Sequence, residues 1–158
     1  MAGKKTGAVP QLLTVLVCRV AGHRFAVAAA DVLEILPALT LLPLPESPSP
    51  IEGLARIRGA AVPVLDIRQR FGMPVRPMSP KDHLVLCRLG ERRAALHVDR
   101  VLGLFDCQLD PVDRLGMPMA ASAIGIASDS NGALLVHDLP ALFAIDETEP
   151  ALTAMGAL

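Results

Sequence analysis

The chain has 158 residues, of which 52% are hydrophobic, with four Phe and neither Trp nor Tyr. A chain of this length can bury one sizeable core, or two small halves that share a core, built from Val, Leu, Ile and Ala. The 15 basic and 16 acidic residues give a net charge of −1, which together with the few aromatic residues argues against a nucleic-acid partner. No run reaches the roughly 18 uncharged apolar residues of a spanning helix, so we expect no membrane insertion and a cytoplasmic location.

Short β-rich runs separated by turns fill the first half of the chain. A hairpin is predicted around Gly22 and a strand pair around Gly59, with one helical turn at Ala29–Asp31 between them. Residues 37–50 contain five prolines and are predicted to form an edge or a surface connection. Asp66 is positioned to cap a short helix. The predicted elements are strands 12–20, 24–28, 32–36, 54–57 and 61–65 and helix 67–71.

The second half follows a proline-bearing linker at residues 73–80 and repeats this pattern. The turn at Gly90 and the turn over residues 129–132 predict two more hairpins, and Asp138 is positioned to cap a last helix. Residues 106–123 are mixed in character and broken by prolines, so they are predicted to form a loop. The predicted elements are strands 84–89, 93–98, 101–105, 124–127 and 133–136 and helix 140–145.

Many short strands, frequent turns and brief helices indicate an all-β fold, either a barrel or a sandwich. Both halves end with a strand, a capping aspartate and a short helix, which predicts two barrel-like subdomains. The domain is expected over residues 11–145, with a subdomain junction near residues 73–80. A flexible leader is expected at residues 1–10 and a C-terminal tail at residues 146–158.

The most informative stretch runs over residues 51–68. Arg56 and Arg58 alternate with apolar residues, so an extended strand would place both on one face and Ile57 on the other. Gly59 then permits a bend or a close backbone approach. A basic strand face beside a glycine, with no catalytic group nearby, favours contact with another molecule. The stretch therefore indicates an adaptor rather than an enzyme.

The sequence gives little support to catalysis, a metal or a cofactor. Asp66, Asp99 and Asp138 are explained as caps and turn residues, and the four histidines stand singly, without metal-ligand or triad spacing. No glycine loop for phosphate and no Gly-x-Ser-x-Gly occurs. The three widely spaced cysteines indicate reduced thiols. A ligand-binding barrel would instead need a roomy interior with converging polar groups.

Four segments, in order along the chain, resemble the chemotaxis coupling protein CheW family. They are Val32-Leu33-Glu34-Ile35, the stretch from Ile51-x-Gly53 through Arg58-Gly59 to Pro63-Val64-x-Asp66-x-Arg68, Val98-Asp99-x-Val101, and residues 134–142. The likeness as a whole spans about residue 12 to residue 143. Val-x-Glu-Ile alone is a weak signal, whereas the central stretch with the other three in register is a specific one.

The resemblance implies two intertwined five-stranded SH3-like β-barrels with short helices, a hydrophobic junction, and chain ends that cross over. It implies a non-catalytic adaptor between chemoreceptors and the histidine kinase CheA, whose regulatory domain has the same fold. One subdomain would bind the kinase, and a groove near the junction would bind the helical tip of the receptor. The implied location is cytoplasmic, with recruitment to membrane-associated receptor arrays. The implied partner-binding residues and their apolar strand neighbours are Val32, Glu34, Gly53, Ile57, Arg58, Gly59 and Val62.

Alternatives stay open at this point. The chain could be a CheW-like scaffold of a non-flagellar system, for twitching or surface sensing, or a small-ligand-binding β-barrel. Read without the resemblance, Arg58 fits an ordinary solvated strand residue better than a contact residue, whereas Glu34 fits either description equally well. Gly53 and Gly59 fit positions that the backbone conformation requires better than they fit contact positions.

Overall fold

The computed structural model describes residues 11–44, 50–111 and 122–143. A 3-10 turn, Ala29–Asp31, joins the second and third strands. All the strands predicted from the sequence are present in this part of the chain. None of its helices is long and apolar enough to cross a membrane. The elements are β1 Gln11–Val20, β2 His23–Ala28, β3 Val32–Pro37, β4 Ile51–Ile57, β5 Ala60–Asp66, α1 Ile67–Arg70, β6 His83–Leu89, β7 Arg92–Val98, β8 Arg100–Leu109, β9 Ala123–Asp129, β10 Gly132–His137 and α2 Leu139–Phe143.

The strands form two five-stranded sheets from interleaved parts of the chain, in the orders β8-β1-β2-β10-β9 and β3-β6-β7-β5-β4. Each sheet contains one parallel pair, β2 with β10 and β5 with β7. The chain enters the second sheet after β2 and returns to the first after β7. Residues 73–80 therefore join α1 to β6, and they do not lie where the chain passes between subdomains.

Each sheet is closed by one backbone bridge between its outer strands. Leu42, which follows β3, exchanges hydrogen bonds of 2.8 and 2.9 Å with Leu54 of β4. Asp110, which follows β8, exchanges bonds of 2.9 and 2.8 Å with Ile126 of β9. Closure satisfies the edges of both sheets. The closed sheet that contains β1 is called barrel 1, and the closed sheet that contains β3 is called barrel 2. The expectation of two intertwined barrels is confirmed.

A glycine lies beside each closing bridge. A Cβ atom on Gly53 would come within 2.7 Å of the Leu42 carbonyl oxygen, and one on Gly125 within 2.7 Å of the Asp110 carbonyl oxygen. Neither contact can be relieved by a side-chain movement, because the opposing atom belongs to the backbone. Both glycines are therefore required by the close approach of two backbone segments.

Three clusters of buried apolar side chains hold the fold together. One fills barrel 1, a second fills barrel 2, and the largest lies between the barrels and includes residues of β1, β2, β4 to β7 and both helices. Cys18 and Cys87 belong to this inter-barrel cluster, and both are free thiols as expected. Burial raises the pKa of Cys18 to about 12, so its thiol stays protonated.

The predicted loop over residues 106–123 is wrong in its first part. Strand β8 continues to Leu109 and pairs with β1 along its length, for example Asp106 with Thr14. The exposed Asp106 and Gln108 alternate with the partly buried Cys107 and Leu109, which is the pattern of a half-buried strand. Pairing with β1 and barrel closure outweigh the low β propensity of Asp and Gln. Residues 112–121 of the predicted loop lie outside the described chain, as do residues 1–10 and 144–158.

Both predicted helix caps are present. The Asp66 carboxylate accepts the backbone N–H of Arg68 at 3.0 Å, and the Asp138 carboxylate accepts that of Ala141 at 3.1 Å. Gly72 follows α1 with φ of 74°, as expected for a glycine that ends a helix. These caps fix the end of β5 and of β10, where each barrel meets the inter-barrel cluster.

Candidate partner-binding site

Arg58 and Gly59 form the two-residue turn of the β4–β5 hairpin, with φ values of 51° and 81°. Two positive φ values in succession are typical of a type I′ turn, whose twist suits a hairpin. The expectation that Arg58 continues the strand beside Arg56 is therefore wrong, because β4 ends at Ile57. This backbone conformation is unfavourable for a residue with a Cβ atom, and Asn would suit the turn better than Arg.

The Arg58 side chain makes a bidentate ion pair with Glu34 of β3. Its Nε atom lies 3.1 Å from Oε1 and its Nη2 atom lies 2.6 Å from Oε2. The two side chains are 66% and 30% exposed. The hydrogen bonds to Glu34 raise the pKa of Arg58 above its ordinary value. The pair thus joins the tip of the β4–β5 hairpin to β3 across the mouth of barrel 2.

A bulge in β3 determines which way its side chains face. The register with β6 shifts between Val32 and Glu34. Val32 is half-buried and packs against the inter-barrel cluster, opposite Cys87, whereas Glu34 lies opposite Leu86, which belongs to the interior of barrel 2. A bulge changes the face that a side chain occupies. The two candidate residues of β3 therefore lie on different faces.

Two of the predicted contact residues are core residues. Ile57 and Val62 are 4% and 1% exposed and pack inside barrel 2. They support the hairpin from within and are not accessible to a partner, because apolar side chains at these alternate positions point into the barrel. Gly53 is buried beside Leu42, whereas Gly59 is exposed at the turn. The accessible part of the candidate site is Glu34, Arg58, Gly59 and the half-buried Val32.

Exposed apolar side chains border the inter-barrel cluster on both barrels. Ile35, 43% exposed, is the cross-strand partner of Val85, a member of that cluster. Leu104, 62% exposed, is the partner of Leu16, which is another member. Cross-strand partners share a face of a sheet. Both barrels therefore expose an apolar residue at the edge of the inter-barrel cluster, which we call the inter-barrel margin.

The interiors of the two barrels are filled largely by buried apolar side chains. Two clefts of about 420 and 450 Å³ lie at the rim of barrel 1 and share Gly22, Arg24 and Asn131. Arg24 pairs with Asp129 at this rim at 2.9 Å. The arrangement favours contacts on the outside of the barrels over a ligand enclosed within one.

A buried histidine held between two acids was not predicted from the sequence. In the structure, His97 of β7 places Nδ1 2.8 Å from Glu52 Oε1 and Nε2 2.7 Å from Asp82 Oδ2. Burial disfavours the imidazolium and lowers the pKa of His97, but the hydrogen bonds to the two carboxylates outweigh this and raise it above the ordinary value. The three residues are 15 or more positions apart, so no local spacing could have indicated the contact.

The charged contacts continue from Asp82 to the point where the chain crosses between barrels. Arg76 donates to both oxygens of Asp82 at 2.8 Å and to Asp99 at 2.8 Å. Arg68 of α1 donates to the other Asp99 oxygen at 2.6 Å. Burial alone would raise the pKa of Asp82, but the hydrogen bonds from Arg76, the Ser79 N–H and His97 outweigh it and hold this pKa well below its usual range. Asp99 therefore lies in the turn between β7 and β8 and also accepts hydrogen bonds from two arginines.

Glu52, Asp66 and His97 place possible ligand atoms within 4.8 Å of one another and are the grouping in the described chain that could hold a metal ion. Both ring nitrogens of His97 already face carboxylates, and Asp66 accepts the Arg68 N–H. Burial and the charge of Glu52 also raise the pKa of Asp66. The contacts fit a protonated histidine that neutralises acids better than a metal ligand, which must be unprotonated.

We expect the free energy of unfolding to fall as the pH rises above about 6.5, the ordinary pKa of histidine. Because the pKa of His97 is raised in the folded protein, its contribution is complete below that pH and is lost as the pH passes the raised value. His97→Gln is expected to remove this alkaline slope. Urea unfolding followed from about pH 5 to about pH 8 measures it, because above this range the buried thiols, whose pKa values are also raised, add an alkaline slope of their own.

His137 provides a control of opposite sign. Burial lowers its pKa to about 4, so its contribution to stability is lost as the pH falls toward that value. His137→Gln is expected to flatten the acid side and leave the alkaline slope. An alkaline slope that persists in His97→Gln would contradict the role given to His97.

Two barrels filled by side chains, a shared apolar junction and an exposed ion pair at a hairpin tip define a β-barrel protein whose candidate site lies on its surface. The family model that describes the CheW-like domain matches residues 14–147 of this sequence, and the chain belongs to this family. The expectation drawn from the four sequence segments is thereby confirmed.

Similar proteins agree with the family. The chain is 26% identical to Chemotaxis protein CheW of Rhizobium meliloti (strain 1021) over 137 residues, which cover 84% of this chain and 88% of that protein. It is 37% identical to Protein FrzA of Myxococcus xanthus over 86 residues, about half of either protein (54%). The crystal structure of the scaffolding protein TtCheW from Thermoanaerobacter tengcongensis superposes with a TM-score of 0.79 at 25% identity, covering 88% of this chain and 97% of that one. These likenesses support a scaffold role in chemotaxis.

Proposed function

We propose that this protein is a non-catalytic adaptor that couples chemoreceptors to the histidine kinase CheA, in the cytoplasm at membrane-associated receptor arrays. The observation that carries the proposal is the Arg58–Glu34 ion pair, exposed at a hairpin tip in a chain of the CheW-like family. Glu34, Arg58 and Gly59 form one surface through which partners bind, and Val32, on the other face of β3, belongs to the side that borders the inter-barrel cluster.

The stability of the fold does not explain the Arg58–Glu34 ion pair. Exposed ion pairs contribute little to folding because water already solvates both charges. Arg58 in addition occupies a backbone conformation that suits Gly or Asn better. A planar guanidinium held in a fixed orientation by two hydrogen bonds is instead well suited to present charge to a partner. We therefore assign the pair to recognition.

The inter-barrel margin supplies the apolar part of the interface. Ile35 and Leu104 lie on either side of the junction, and Leu33, 39% exposed, precedes Ile35 by two residues on β3. An amphipathic helix from the tip of a receptor would bind here with its apolar face in the groove. A kinase domain of the same fold would bind the end of one barrel, and such head-to-tail contacts can close into a ring. Individually weak contacts gain strength from multivalency in an array.

Co-sedimentation tests the proposal directly. The purified chain is mixed with receptor-bearing membranes and with the regulatory domain of the histidine kinase from the same organism. We expect the chain to sediment with the membranes, and the kinase domain to sediment only when the chain is present. A chain that binds neither component in this assay or by calorimetry would overturn the adaptor role.

A second assignment is a scaffold of a non-flagellar chemosensory system. The 37% identity with Protein FrzA, although over a shorter span, exceeds the 26% identity with the Rhizobium meliloti CheW. Deletion of the gene distinguishes the two. Loss of directed swimming supports coupling in a flagellar system, whereas loss of directed surface movement with normal swimming supports the second assignment.

A further inference from the structure

We propose that Asp99 is a positioning residue that fixes the angle between the two barrels. It lies between β7 of barrel 2 and β8 of barrel 1, where the chain crosses from one to the other. The other crossing, Ala29–Asp31, is a short 3-10 turn without a buried residue. Asp99 is therefore placed where one side chain can bind groups from both barrels.

Asp99 binds barrel 1 through two backbone hydrogen bonds. Its carboxylate Oδ2 accepts the N–H of Ala21, in the β1–β2 turn, at 2.9 Å. Its own N–H donates to the carbonyl of Arg19 at 3.0 Å. Ala21 has a φ of 50°, so this turn presents its N–H in a fixed direction. The bonds therefore depend on the position of a rigid hairpin end of barrel 1.

The same carboxylate binds two cations of barrel 2. Arg68 extends from α1, which follows β5, and Arg76 lies in the segment before β6. Arg76 also binds Asp82, which in turn binds His97 of β7. The cations are thus held by barrel 2 and are not free to follow Asp99 if the barrels move.

The Arg68 guanidinium is oriented toward Asp99, although this orientation is unfavourable for one of its own nitrogen atoms. Its Nε atom is buried and has no hydrogen-bond partner among the described residues, while Nη2 binds Asp99 at 2.6 Å. A buried donor without a partner is unfavourable. The inter-barrel cluster is apolar, and apolar contact is non-directional, so it permits small rotations that charge-assisted hydrogen bonds do not. Asp99 supplies the directional restraint.

The barrel angle determines the width of the groove at the inter-barrel margin, because Ile35 belongs to one barrel and Leu104 to the other. This consequence rests on the proposed function, whereas the restraint itself does not. Measurements on the isolated protein can therefore fail or succeed independently of partner binding.

Distance measurements between spin labels test the restraint. Labels are attached at Arg93→Cys in barrel 2 and Gln108→Cys in barrel 1, both exposed, in a Cys107→Ser background. We expect one narrow distance distribution in the parent and a broader or shifted one in Asp99→Asn and in Arg68→Gln. The amide of Ala21 is expected to exchange roughly tenfold faster in Asp99→Ala.

Asp129→Asn is the matched control. This variant also breaks an Arg–Asp ion pair, the one between Arg24 and Asp129. The side chains of Arg24 and Asp129 are 18% and 32% exposed, which is close to the 13% and 22% of Arg68 and Asp99. Both members of the control pair belong to barrel 1. An unchanged distribution in both Asp99→Asn and Arg68→Gln, or equal broadening in Asp129→Asn, would overturn the proposal. If Asp99→Asn does not fold, Arg68→Gln gives the same readout while keeping the acid.

Discussion

Gly53→Ala is expected to lower the free energy of unfolding by about 2–3 kcal/mol. The new methyl group would come 2.7 Å from the Leu42 carbonyl oxygen, which accepts one of the two hydrogen bonds that close barrel 2. The two strands must separate to relieve the contact, and the bridge is weakened. Urea unfolding monitored by circular dichroism measures the loss. A variant as stable as the parent would contradict the closing role of this bridge.

Gly125→Ala and Gly22→Ala are the controls for this change. The first creates the same contact at the bridge of barrel 1, so a similar loss of stability is expected. The second has φ of 80° and nothing within 4 Å of the added Cβ, so it measures backbone strain alone, about 1 kcal/mol. Because Gly53 belongs to barrel 2, which carries the Arg58–Glu34 pair, and Gly125 belongs to barrel 1, only Gly53→Ala should weaken partner binding.

Arg58→Glu is expected to weaken binding of the receptor or the kinase about tenfold or more. The change places two acids side by side, so Glu34 and residue 58 repel each other and the hairpin tip loses its link to β3. The fold should be retained, because Arg58 is exposed and its pair contributes little to stability. Calorimetric titration with the kinase regulatory domain and with a receptor fragment measures the loss.

Three further variants separate the ion pair from the charge. Arg56→Glu changes charge on the same hairpin outside the pair and is expected to bind almost normally. Arg58→Lys keeps the charge without the bidentate geometry and should bind with intermediate strength. The exchange Glu34→Arg with Arg58→Glu restores binding only if the pair acts by fixing the hairpin tip. Normal binding by Arg58→Glu itself would exclude this residue from the interface.

The sequence predicted local structure well where turn chemistry is explicit. Gly22, Gly59 and Gly90 lie in hairpin turns with positive φ, and the strands on either side were assigned correctly. The caps at Asp66 and Asp138 were also found, because a capping side chain binds backbone groups two or three residues away. Interactions this local can be read from spacing alone.

The candidate site was only partly predictable. The motif likeness identified Glu34 and Arg58, yet nothing in the sequence indicated that they pair across 24 residues or that Arg58 begins a turn. Ile57 and Val62 match the motif equally well but are buried, since strand alternation at a closed barrel determines which side chains face inward. A motif does not distinguish residues that support a surface from inside the barrel from residues that are accessible to a partner.

The sequence by itself determined the strands, the hairpin turns, the helix caps and the family, because these depend on residues close together in the chain or on ordered motifs. The tertiary structure alone decided the order of the strands within each barrel, the bridges beside Gly53 and Gly125 that close the barrels, and the charged contacts from Glu52 to Asp99. Those features join backbone and charged groups that are far apart in sequence, and their free energy exists only once the barrels have closed and brought them together.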